Sequence, residues 1–389
     1  VVGRSEAWDV SAAMLKPPRR LDRARAMRHL SVPSDQTQVW LERCRSEGWL
    51  APTGVMALEN GRRAVPLNEH APEANDPCWS GLTFVDLEPM TKGPAHWTER
   101  LPSALQQLPD ETWPSAYEIQ GDVLMVKLEE AAMAHKEAVG QAMLDQLSSV
   151  RVVCADMGVK GDFRVRELEP LAWRGDEPST QTEIREHGHR ILVDPSKVYF
   201  SSRLSTQRME TLQQLRAFSN RLGRPLVVAD PYAGAGPAFP LLLADEGLIS
   251  GLMAGDLNPS AVELLEANLE RWTAKRDAPL TPSVVVCEDA RAWKNQDQLC
   301  GRAHALLVNL PHDSFEHLPD LFQLFDRSNT SLLRGWAIVE RDSLPGRADR
   351  LNRLVASAGG TASETHVSEI KGFSTTRCFV VFQTTITWD

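Results

Sequence analysis

The second half of the chain alternates short apolar runs with helix-like segments. Apolar runs of strand length cover residues 225–229, 249–254, 283–287 and 303–308. Helical stretches are predicted at 206–222 and 240–246. This alternation predicts an α/β fold with a parallel sheet. The tail from 365 to 387 alternates polar and apolar residues around an apolar run at 378–382, which predicts antiparallel strands that close the same sheet.

Proline and charge patterns divide the first half of the chain. Residues 1–34 form a basic lead-in for which we expect partial disorder, and residues 35–95 form a small domain with a helix at 37–47. Residues 96–114 are predicted to be a proline-rich linker, because proline interrupts regular structure. An α+β middle domain is predicted at 115–196, with a strand at 117–128, a helix at 129–147 and a strand at 150–155. The domain with the apolar runs covers 197–389.

The apolar run 225–229 leads into the sequence DPYAGAG at residues 230–236. Gly234 and Gly236 have no side chain, so the backbone can turn sharply and approach a ligand there. The next run ends just before Asp256, and a carboxylate about 20 residues after such a turn usually pairs with ribose hydroxyls. The spacing predicts a ligand of the nucleotide type. The alternative is an ordinary glycine-rich turn.

Phe239 distinguishes between two ligands of this type. A dinucleotide site has a third glycine where this chain has Phe239, so a pyrophosphate would be poorly accommodated. S-Adenosylmethionine contains no phosphate and needs room beside the turn for its sulfonium and amino-acid tail. The segment therefore favours S-adenosylmethionine.

Two further strand ends carry polar residues. Asp289 follows the third apolar run, and Asn309 follows the fourth, with Leu310 and Pro311 next. The carboxyl ends of parallel strands meet at one crevice, where open α/β sheets bind ligands. The amide of Asn309 can present both a donor and an acceptor to the edge of a planar base. Asn and Pro are also ordinary turn residues, so the prediction depends on their position at the fourth strand end.

Five motifs occur in the order of a known family. They are GDFRVR at 161–166, VYFSSRLST at 198–206, DPYAGAG at 230–236, DLNP at 256–259 and NLP at 309–311. With these motifs the chain resembles the archaeal and eukaryotic type of tRNA guanine-N1 methyltransferase, which methylates the guanosine at position 37, next to the anticodon. The resemblance implies a Rossmann-like class I methyltransferase domain at 197–389, with S-adenosylmethionine as cofactor. It also implies tRNA as partner, a tRNA-recognising domain at 35–95 and a monomer.

The resemblance implies roles for individual residues. The implied catalytic residues are Arg164, Gln207, Asn309 and Pro311. The implied cofactor-binding residues are Asp230, Tyr232, Ala233, Gly234, Gly236, Asp256, Leu257, Asn258, Asp289, Ala290 and Asn309, and the implied substrate-binding residues are Tyr199, Arg203 and Arg208. Arg164 could equally bind phosphate or form a structural ion pair. Asp256 could equally cap the helix that follows it.

Gln207 departs from the family pattern. The family usually has a glutamate here, which is thought to take the N1 proton of guanine. A neutral amide cannot act as a general base. Three interpretations remain: another carboxylate such as Glu210 or Asp313 accepts the proton, the proton leaves to water while Arg164 and Asn309 stabilise the charge on O6, or activity is weak.

Two other functions stay open. A sister family transfers the aminocarboxypropyl group of the same cofactor to a modified guanosine at the same tRNA position. That family tends to have Gly-Asn in place of Arg203-Leu204 and to lack Asn-Leu-Pro, so both positions favour methyl transfer. The other possibility is a catalytically silent tRNA- or cofactor-binding paralogue, which Gln207 and the acidic charge make plausible.

Composition predicts a cytoplasmic protein. The 389 residues contain no apolar run near the roughly 20 residues of a membrane span. The six cysteines never form a close pair, and no structural metal is expected. The net charge of −10 is unfavourable for binding a polyanion, but clustering of basic groups matters more than the average. One cluster occupies the N-terminal stretch: Lys16, Arg19, Arg20, Arg23, Arg25 and Arg28.

Overall fold

The computed structural model describes residues 26–79, 81–89, 93–161, 163, 165–274 and 276–389. The chain divides into two units, one ending at Ala95 and the other running from His96 to Asp389. Each unit has a hydrophobic core of its own. The predicted catalytic residue Arg164, and the predicted basic cluster apart from Arg28, lie outside the described residues.

The first unit is an antiparallel sheet with one helix. Its elements are β1 (Met27–Pro33), α1 (Thr37–Ser46), β2 (Met56–Ala57), β3 (Arg62–Pro66) and β4 (Thr83–Leu87), and the sheet order is β2-β3-β1-β4. Trp79 is buried at the centre of the core, with ring centroids 6.1 Å from Trp40 and 5.2 Å from Trp49. Aromatic side chains therefore supply much of this small core.

Strand β1 corrects the prediction that residues 1–34 are a lead-in. Leu30 and Val32 are fully buried and pair β1 with both β3 and β4. Arg28 belongs to the fold as well, because it donates a hydrogen bond to the Ala71 carbonyl (2.9 Å) and lies over the ring of Phe84. Strand β1 was not predicted because basic and polar residues alternate with its buried apolar side chains.

The second unit begins with a four-stranded sheet. Its elements are β5 (Glu118–Gln120), β6 (Val123–Val126), α2 (Glu130–Met133), α3 (Lys136–Gln146), β7 (Val152–Lys160) and β8 (Val165–Trp173), in the sheet order β5-β6-β7-β8. The predicted single strand at 117–128 is wrong, because the chain turns at Gly121 (φ +59°). A Cβ there would lie 2.1 Å from the Thr182 hydroxyl. The predicted helix at 129–147 is interrupted at His135, which has a non-helical backbone.

The proline-rich stretch 96–114 is part of this unit's core and does not form a linker. Trp97, Leu101 and Trp113 are buried in one cluster with Leu124 and Met143. The prolines limit the backbone to short 3-10 turns, at Trp97–Arg100, Leu105–Gln107 and Asp110–Thr112. Large aromatic residues between the prolines decide the packing.

The rest of the second unit is built on a sheet that has seven strands in the described chain. The elements are β9 (Thr182–Glu186), β10 (His189–Val193), α4 (Ser205–Leu222), β11 (Leu226–Asp230), α5 (Phe239–Ala244), β12 (Ile249–Asp256), α6 (Pro259–Thr273), β13 (Ser283–Cys287), β14 (Ala305–Val308), α7 (Ser314–Leu321), β15 (Ser331–Glu340), α8 (Arg347–Ser357), β16 (Gly360–Gly372) and β17 (Arg377–Trp388). The sheet order is β13-β12-β11-β14-β15-β17-β16. Strands β11 to β15 are parallel, and β17 is antiparallel to both of its neighbours.

The strand order reverses between β11 and β14. The chain moves outward from β11 to β12 and β13, and then returns to place β14 on the other side of β11. A crevice at the carboxyl ends of the strands is expected at such a point. The α/β fold with a Rossmann-like C-terminal sheet, predicted from the sequence, is confirmed.

The β9–β10 hairpin packs on this sheet's helices. Ile191 and Val193 share a cluster with Ala261 and Leu264 of α6. The Asn268 amide accepts a hydrogen bond from the Leu192 N–H and donates one to its carbonyl, both 2.9 Å long. The structural boundary therefore falls before β9, which corrects the predicted boundary at 196/197.

In the described part of the chain, no helix has the length and apolar character to cross a membrane. The described residues also include no group of three or more His, Cys, Asp or Glu side chains arranged to hold a metal ion.

Replacement of Gly255 tests the close approach of β12 and β13. A Cβ at Gly255 would lie 2.3 Å from the Val286 carbonyl oxygen and 2.6 Å from the Trp293 ring. We expect Gly255→Ala to lower the free energy of unfolding by about 1–3 kcal/mol, as overpacking does. The control is Gly346→Ala, because no atom lies within 4 Å of its Cβ position and its φ is −89°. If urea unfolding showed the same loss of stability for both variants, the close packing at Gly255 would be contradicted.

Candidate active site

The glycine turn follows β11 and uses its two glycines differently. Gly234 (φ +57°) and Gly236 (φ +80°) both have left-handed backbones. A Cβ at Gly236 would lie 2.6 Å from Leu265, whereas a Cβ at Gly234 meets nothing closer than 3.9 Å. Gly236 therefore permits close packing of the turn on α6, and Gly234 leaves open space beside the turn.

Asp256 holds this turn in place. Its Oδ2 accepts a hydrogen bond from the Gly234 N–H, and its Oδ1 accepts one from the Asn258 N–H, both 2.9 Å long. Burial raises the pKa of Asp256, and these backbone donors oppose the rise. The carboxylate thus joins the turn after β11 to the start of α6.

Asn258 is committed to structure. Its side-chain oxygen caps α6 by accepting from the Ser260 N–H (3.0 Å), and its amide donates to the Lys197 carbonyl (2.7 Å). Asn258 is therefore the N-cap of α6. Sequence analysis had considered Asp256 for this role. The predicted cofactor contact of Asn258 stays a prediction, and these bonds leave the amide little freedom.

A cavity of about 330 Å³ lies beside the turn. Most of the predicted site residues line it: Tyr199, Arg208, Tyr232, Ala233, Gly234, Asp256, Leu257, Asn258, Asp289, Ala290 and Asn309. Four further residues line it: Phe163, Arg291, Asp313 and His317. Sequence analysis assigned a role to Asp313 alone among them, as a possible base. The cavity brings together the ends of β11, β12, β13 and β14, as the strand order requires.

Arg291 and His317 reach the cavity through tertiary packing. Arg291 pairs with Asp289 (2.6 Å) and, as the largest cause, holds the pKa of that carboxyl at about 2. Burial lowers the pKa of His317, and its Nδ1 shares a hydrogen bond with the Tyr232 hydroxyl (2.7 Å). No motif marks either residue, since one lies two positions after Asp289 and the other lies within α7.

Asp230 and Gln207 line a smaller neighbouring cavity together with Asn309 and Trp336. Asp230 accepts a hydrogen bond from the Tyr232 N–H (3.1 Å) and is 5% exposed. Burial raises the pKa of Asp230 to about 7, and the nearby negative charge of Asp256 adds to the rise. The folded protein therefore holds a carboxyl group that ionises near neutral pH and lacks a cation among the described residues.

The amide of Gln207 has one orientation only. Its oxygen accepts hydrogen bonds from the Trp336 indole (3.1 Å) and the Arg334 guanidinium (3.4 Å). Its nitrogen donates to Glu210 (2.9 Å). Indole and guanidinium groups can only donate, so the oxygen must face them. Gln207 therefore has no free lone pair for a proton and acts as a structural link.

Arg208 forms a buried ion pair. Its guanidinium donates to both carboxylate oxygens of Glu186 (2.6 and 2.5 Å) and to the Ser201 carbonyl (3.0 Å). Both side chains are less than 10% exposed. These contacts tie α4 to β9 and leave the predicted substrate contact of Arg208 as a prediction.

The other predicted residues differ in exposure. Tyr199 is 62% exposed at the cavity, while Phe200 is buried. Arg203 is exposed and does not line either cavity. Pro311 also lies outside both linings, and its carbonyl accepts a hydrogen bond from the Ile338 N–H (2.6 Å). Tyr199 thus offers a ring to a ligand, whereas Pro311 fixes the loop that carries Asn309.

This geometry agrees with comparisons to known families. Residues 182–328 match the TRM5/TYW2 methyltransferase domain. This part of the chain is therefore a TRM5/TYW2 methyltransferase domain. Residues 98–177 match the TYW2 N-terminal domain. The resemblance predicted from the five motifs is therefore confirmed, and the TRM5/TYW2 domain starts at β9, where the structure places the boundary.

One relative is tRNA (guanine(37)-N(1))-methyltransferase Trm5b of Pyrococcus abyssi. It is 28% identical over 239 residues, which cover 60% of this chain and 64% of that protein. The matched region thus spans just under two thirds of the relative's length.

Two solved structures resemble the fold. The complex of aTrm5 and tRNALeu superposes with a TM-score of 0.61 at 19% identity, and covers 92% of this chain and 99% of that one. TYW2 of Pyrococcus horikoshii in complex with MeSAdo gives 0.57 at 18% identity, and covers 73% of this chain and 96% of that one. At these identities the likeness establishes the fold alone.

The raised pKa of Asp230 predicts how stability depends on pH. The ordinary carboxyl pKa is 3.8. Between about pH 4 and pH 7 the unfolded chain loses this proton while the folded protein keeps it, so stability falls through that window and stays lower above it. Asp230→Asn removes this loss and keeps an acceptor for the Tyr232 N–H. The free energy of unfolding of the variant minus that of the original chain should therefore be larger at pH 8 than at pH 4.5, by on the order of 2–4 kcal/mol.

Urea unfolding at the two pH values measures this difference. Asp349→Asn, at an exposed position in α8, is the matched control and should show none of it. The same pH dependence in the original chain and in Asp230→Asn would show that Asp230 does not ionise near pH 7.

Proposed function

We propose that the protein is an S-adenosylmethionine-dependent tRNA methyltransferase that modifies N1 of guanosine 37. The observation that carries this proposal is that Asn309 opens onto the same cavity as the glycine turn, Tyr232 and Asp256. An amide suited to binding a base and a turn suited to binding a nucleoside thus lie together at the point where the strand order reverses. The relatives named above support tRNA as the substrate and guanosine 37 as the target. The cytoplasmic location and monomeric state stay predictions.

The cavity has the charge that this cofactor needs. Asp256 and Asp289 line the main cavity, and Asp230 lines the smaller cavity beside it; of the three, only Asp289 has a cationic partner in the described chain. A buried carboxyl near neutral pKa gains most from a positive ligand, because the ligand offsets its desolvation. The ammonium and sulfonium groups of S-adenosylmethionine would provide such charge, with Asp256 toward the ribose and Asp289 toward the adenine. When bound, the cofactor supplies an activated methyl group.

Asn309 would hold the target base. Among the described residues, its amide makes no hydrogen bond, so it can donate to O6 of guanine. The base has to leave the anticodon stack to reach the cavity. Tyr199, exposed at the cavity, provides an aromatic face for the flipped ring. Fixing the base and the methyl group in one geometry accounts for much of the expected rate enhancement.

The proton on N1 needs an acceptor other than Gln207. Glu210 already binds Gln207 and Arg334, and it lines neither cavity. Asp230 is buried and lines only the smaller cavity. Asp313 follows Asn309 by four residues and lines the main cavity, and its carboxylate has no hydrogen-bond or ion-pair partner in the described chain.

We therefore assign the proton to Asp313. The carboxylate takes the N1 proton, and the freed electron pair of N1 forms the bond to the methyl carbon. The carbon–sulfur bond breaks at the same time, and its electron pair stays on sulfur. No covalent enzyme intermediate is needed, and no charge is left on the base.

One observation favours a second candidate, the aminocarboxypropyl transfer of the sister family. The middle region, residues 98–177, matches the TYW2 N-terminal domain. The Asn-Leu-Pro loop favours methyl transfer. The two reactions leave different groups on the nucleoside, so product analysis separates them.

The direct test uses tRNA transcripts with guanosine or adenosine at position 37 and S-adenosylmethionine labelled in the methyl group or the aminocarboxypropyl group. We expect 1-methylguanosine from the guanosine transcript only, identified by nucleoside chromatography and mass spectrometry. An aminocarboxypropyl product would move the protein to the second candidate. Binding of both ligands without any product would identify a silent paralogue.

Moving the carboxylate tests the role of Asp313. We expect Asp313→Asn to lower kcat by about 10²–10⁴-fold, the usual contribution of a general base. The double variant Gln207→Glu with Asp313→Asn should recover much of the activity, because a carboxylate returns to the position where the family has one. Glu266→Gln, at an exposed site on α6, is the charge-matched control. An unchanged kcat in Asp313→Asn would exclude this role.

A further inference from the structure

The turn between β16 and β17 presents an exposed aromatic ring. Phe373 is 47% exposed, although it is one of the large apolar side chains of the second unit. The turn is tightly bonded: the N–H groups of Phe373 and Ser374 both donate to the Arg377 carbonyl (2.9 and 3.0 Å). The Arg377 N–H donates in return to the Ser374 hydroxyl (3.1 Å). The ring is therefore carried by a rigid hairpin tip, residues 373–377.

Two groups support the ring from the protein side. The Arg377 guanidinium lies 5.4 Å from the ring centroid, in a cation–π contact. The His312 ring lies 6.1 Å away at 80°, an edge contact. The Thr376 carbonyl accepts a hydrogen bond from the Arg341 N–H (2.9 Å), which anchors the tip to the end of β15. These contacts hold the ring at a set angle while nearly half of it stays open.

His312 places the hairpin tip beside the active site. It stands between Pro311 and Asp313, in the loop that carries Asn309. Asn309 and Asp313 line the main cavity. An aromatic ring in contact with His312 therefore lies next to the loop that would hold the target base, and not at a remote surface.

The charges of the hairpin tip argue against a phosphate site. Arg377 lies 3.9 Å from Glu340, and Arg341 pairs with Glu369 (2.7 Å). Each arginine thus has an acidic neighbour. The open feature of the tip is the aromatic face, and an aromatic face binds a nucleobase by stacking, with little dependence on salt or sequence.

We propose that Phe373 stacks on an unpaired nucleobase of the substrate RNA, adjacent to the nucleotide that enters the cavity. This inference rests on the proposed function. A base that leaves the anticodon stack deprives its neighbour of a stacking partner. The Phe373 ring replaces that partner, and Arg377 and His312 hold the ring in place for it.

Three substitutions separate stacking from general apolar contact. Base–aromatic stacking contributes about 1–3 kcal/mol, so Phe373→Ala should raise the KM for tRNA by about 5- to 150-fold. Phe373→Leu should do the same, because leucine is apolar but has no ring. Phe373→Trp should stay within about twofold of the original chain. The KM for S-adenosylmethionine should not change in any of them.

A fluorescence measurement tests the contact without catalysis. Transcripts carry 2-aminopurine at position 36 or 38, and stacking on Phe373 should quench one of them upon binding. The quenching should be lost in Phe373→Ala, and the loss should be the same at low and high salt. Because this arm needs only binding, it remains informative if no methylated product forms.

Tyr117→Ala is the control, since Tyr117 is 43% exposed and carries no role in the site. It should leave both the KM for tRNA and the quenching unchanged. Phe373→Leu behaving like the original chain would overturn the proposal, as would a KM effect that disappears at high salt. An unchanged melting temperature in each variant confirms that the hairpin still folds.

Discussion

The carboxylate of Asp256 is the interaction on which the candidate site depends. It accepts hydrogen bonds from the backbone of Gly234 and of Asn258, so one side chain joins the turn after β11 to the start of α6. Buried backbone donors need partners, and a charged acceptor forms stronger bonds than a neutral one. The ends of neighbouring strands are held together in this way, and the cavity beside the turn keeps its shape. A ligand that binds there finds its contacts already arranged, which lowers the cost of binding.

A second set of hydrogen bonds surrounds the buried Arg334. These bonds fix Gln207, at the position where the resemblance implies a glutamate. The Gln207 oxygen accepts from Arg334 and Trp336, while its nitrogen donates to Glu210, so the amide joins a polar network inside the protein. Arg334 is 2% exposed and needs every acceptor it reaches. In buried networks each unpaired group is costly, and this gives Gln207 a structural reason to be there. Among the carboxylates that line the main cavity in the described chain, that of Asp313, on the loop with Asn309, has no hydrogen-bond or ion-pair partner.

Several sequence predictions were correct because they depend on local patterns, and others were wrong because they depend on distant packing. Apolar runs predicted β11 to β14 and the closing pair β16 and β17 to within a few residues, and the glycine turn was found from its sequence, but β15 was not predicted. The hairpin at Gly121, the strand at Leu30 and Val32, and the core contacts of Trp97 and Trp113 were not found. In these segments charged residues or prolines occur beside the inward side chains, so periodicity is obscured. Arg291 and His317 were missed for a related reason, since only the fold brings them to Asp289 and Tyr232.

By itself, the sequence determined the α/β class, the order of the strand ends, the glycine turn and the resemblance that the match of residues 182–328 to the TRM5/TYW2 methyltransferase domain confirms. Each of these follows from the period of apolar residues or from short motifs, which act over a few neighbouring positions. The tertiary structure decided which polar atoms are free to meet a ligand. Arg208, Asn258 and Gln207 carry suitable groups in the sequence, but Glu186, Lys197, Arg334 and other partners bind those groups in the fold. Partners of this kind come from remote parts of the chain, and the strength of a buried polar contact depends on its surroundings rather than on its neighbours in sequence.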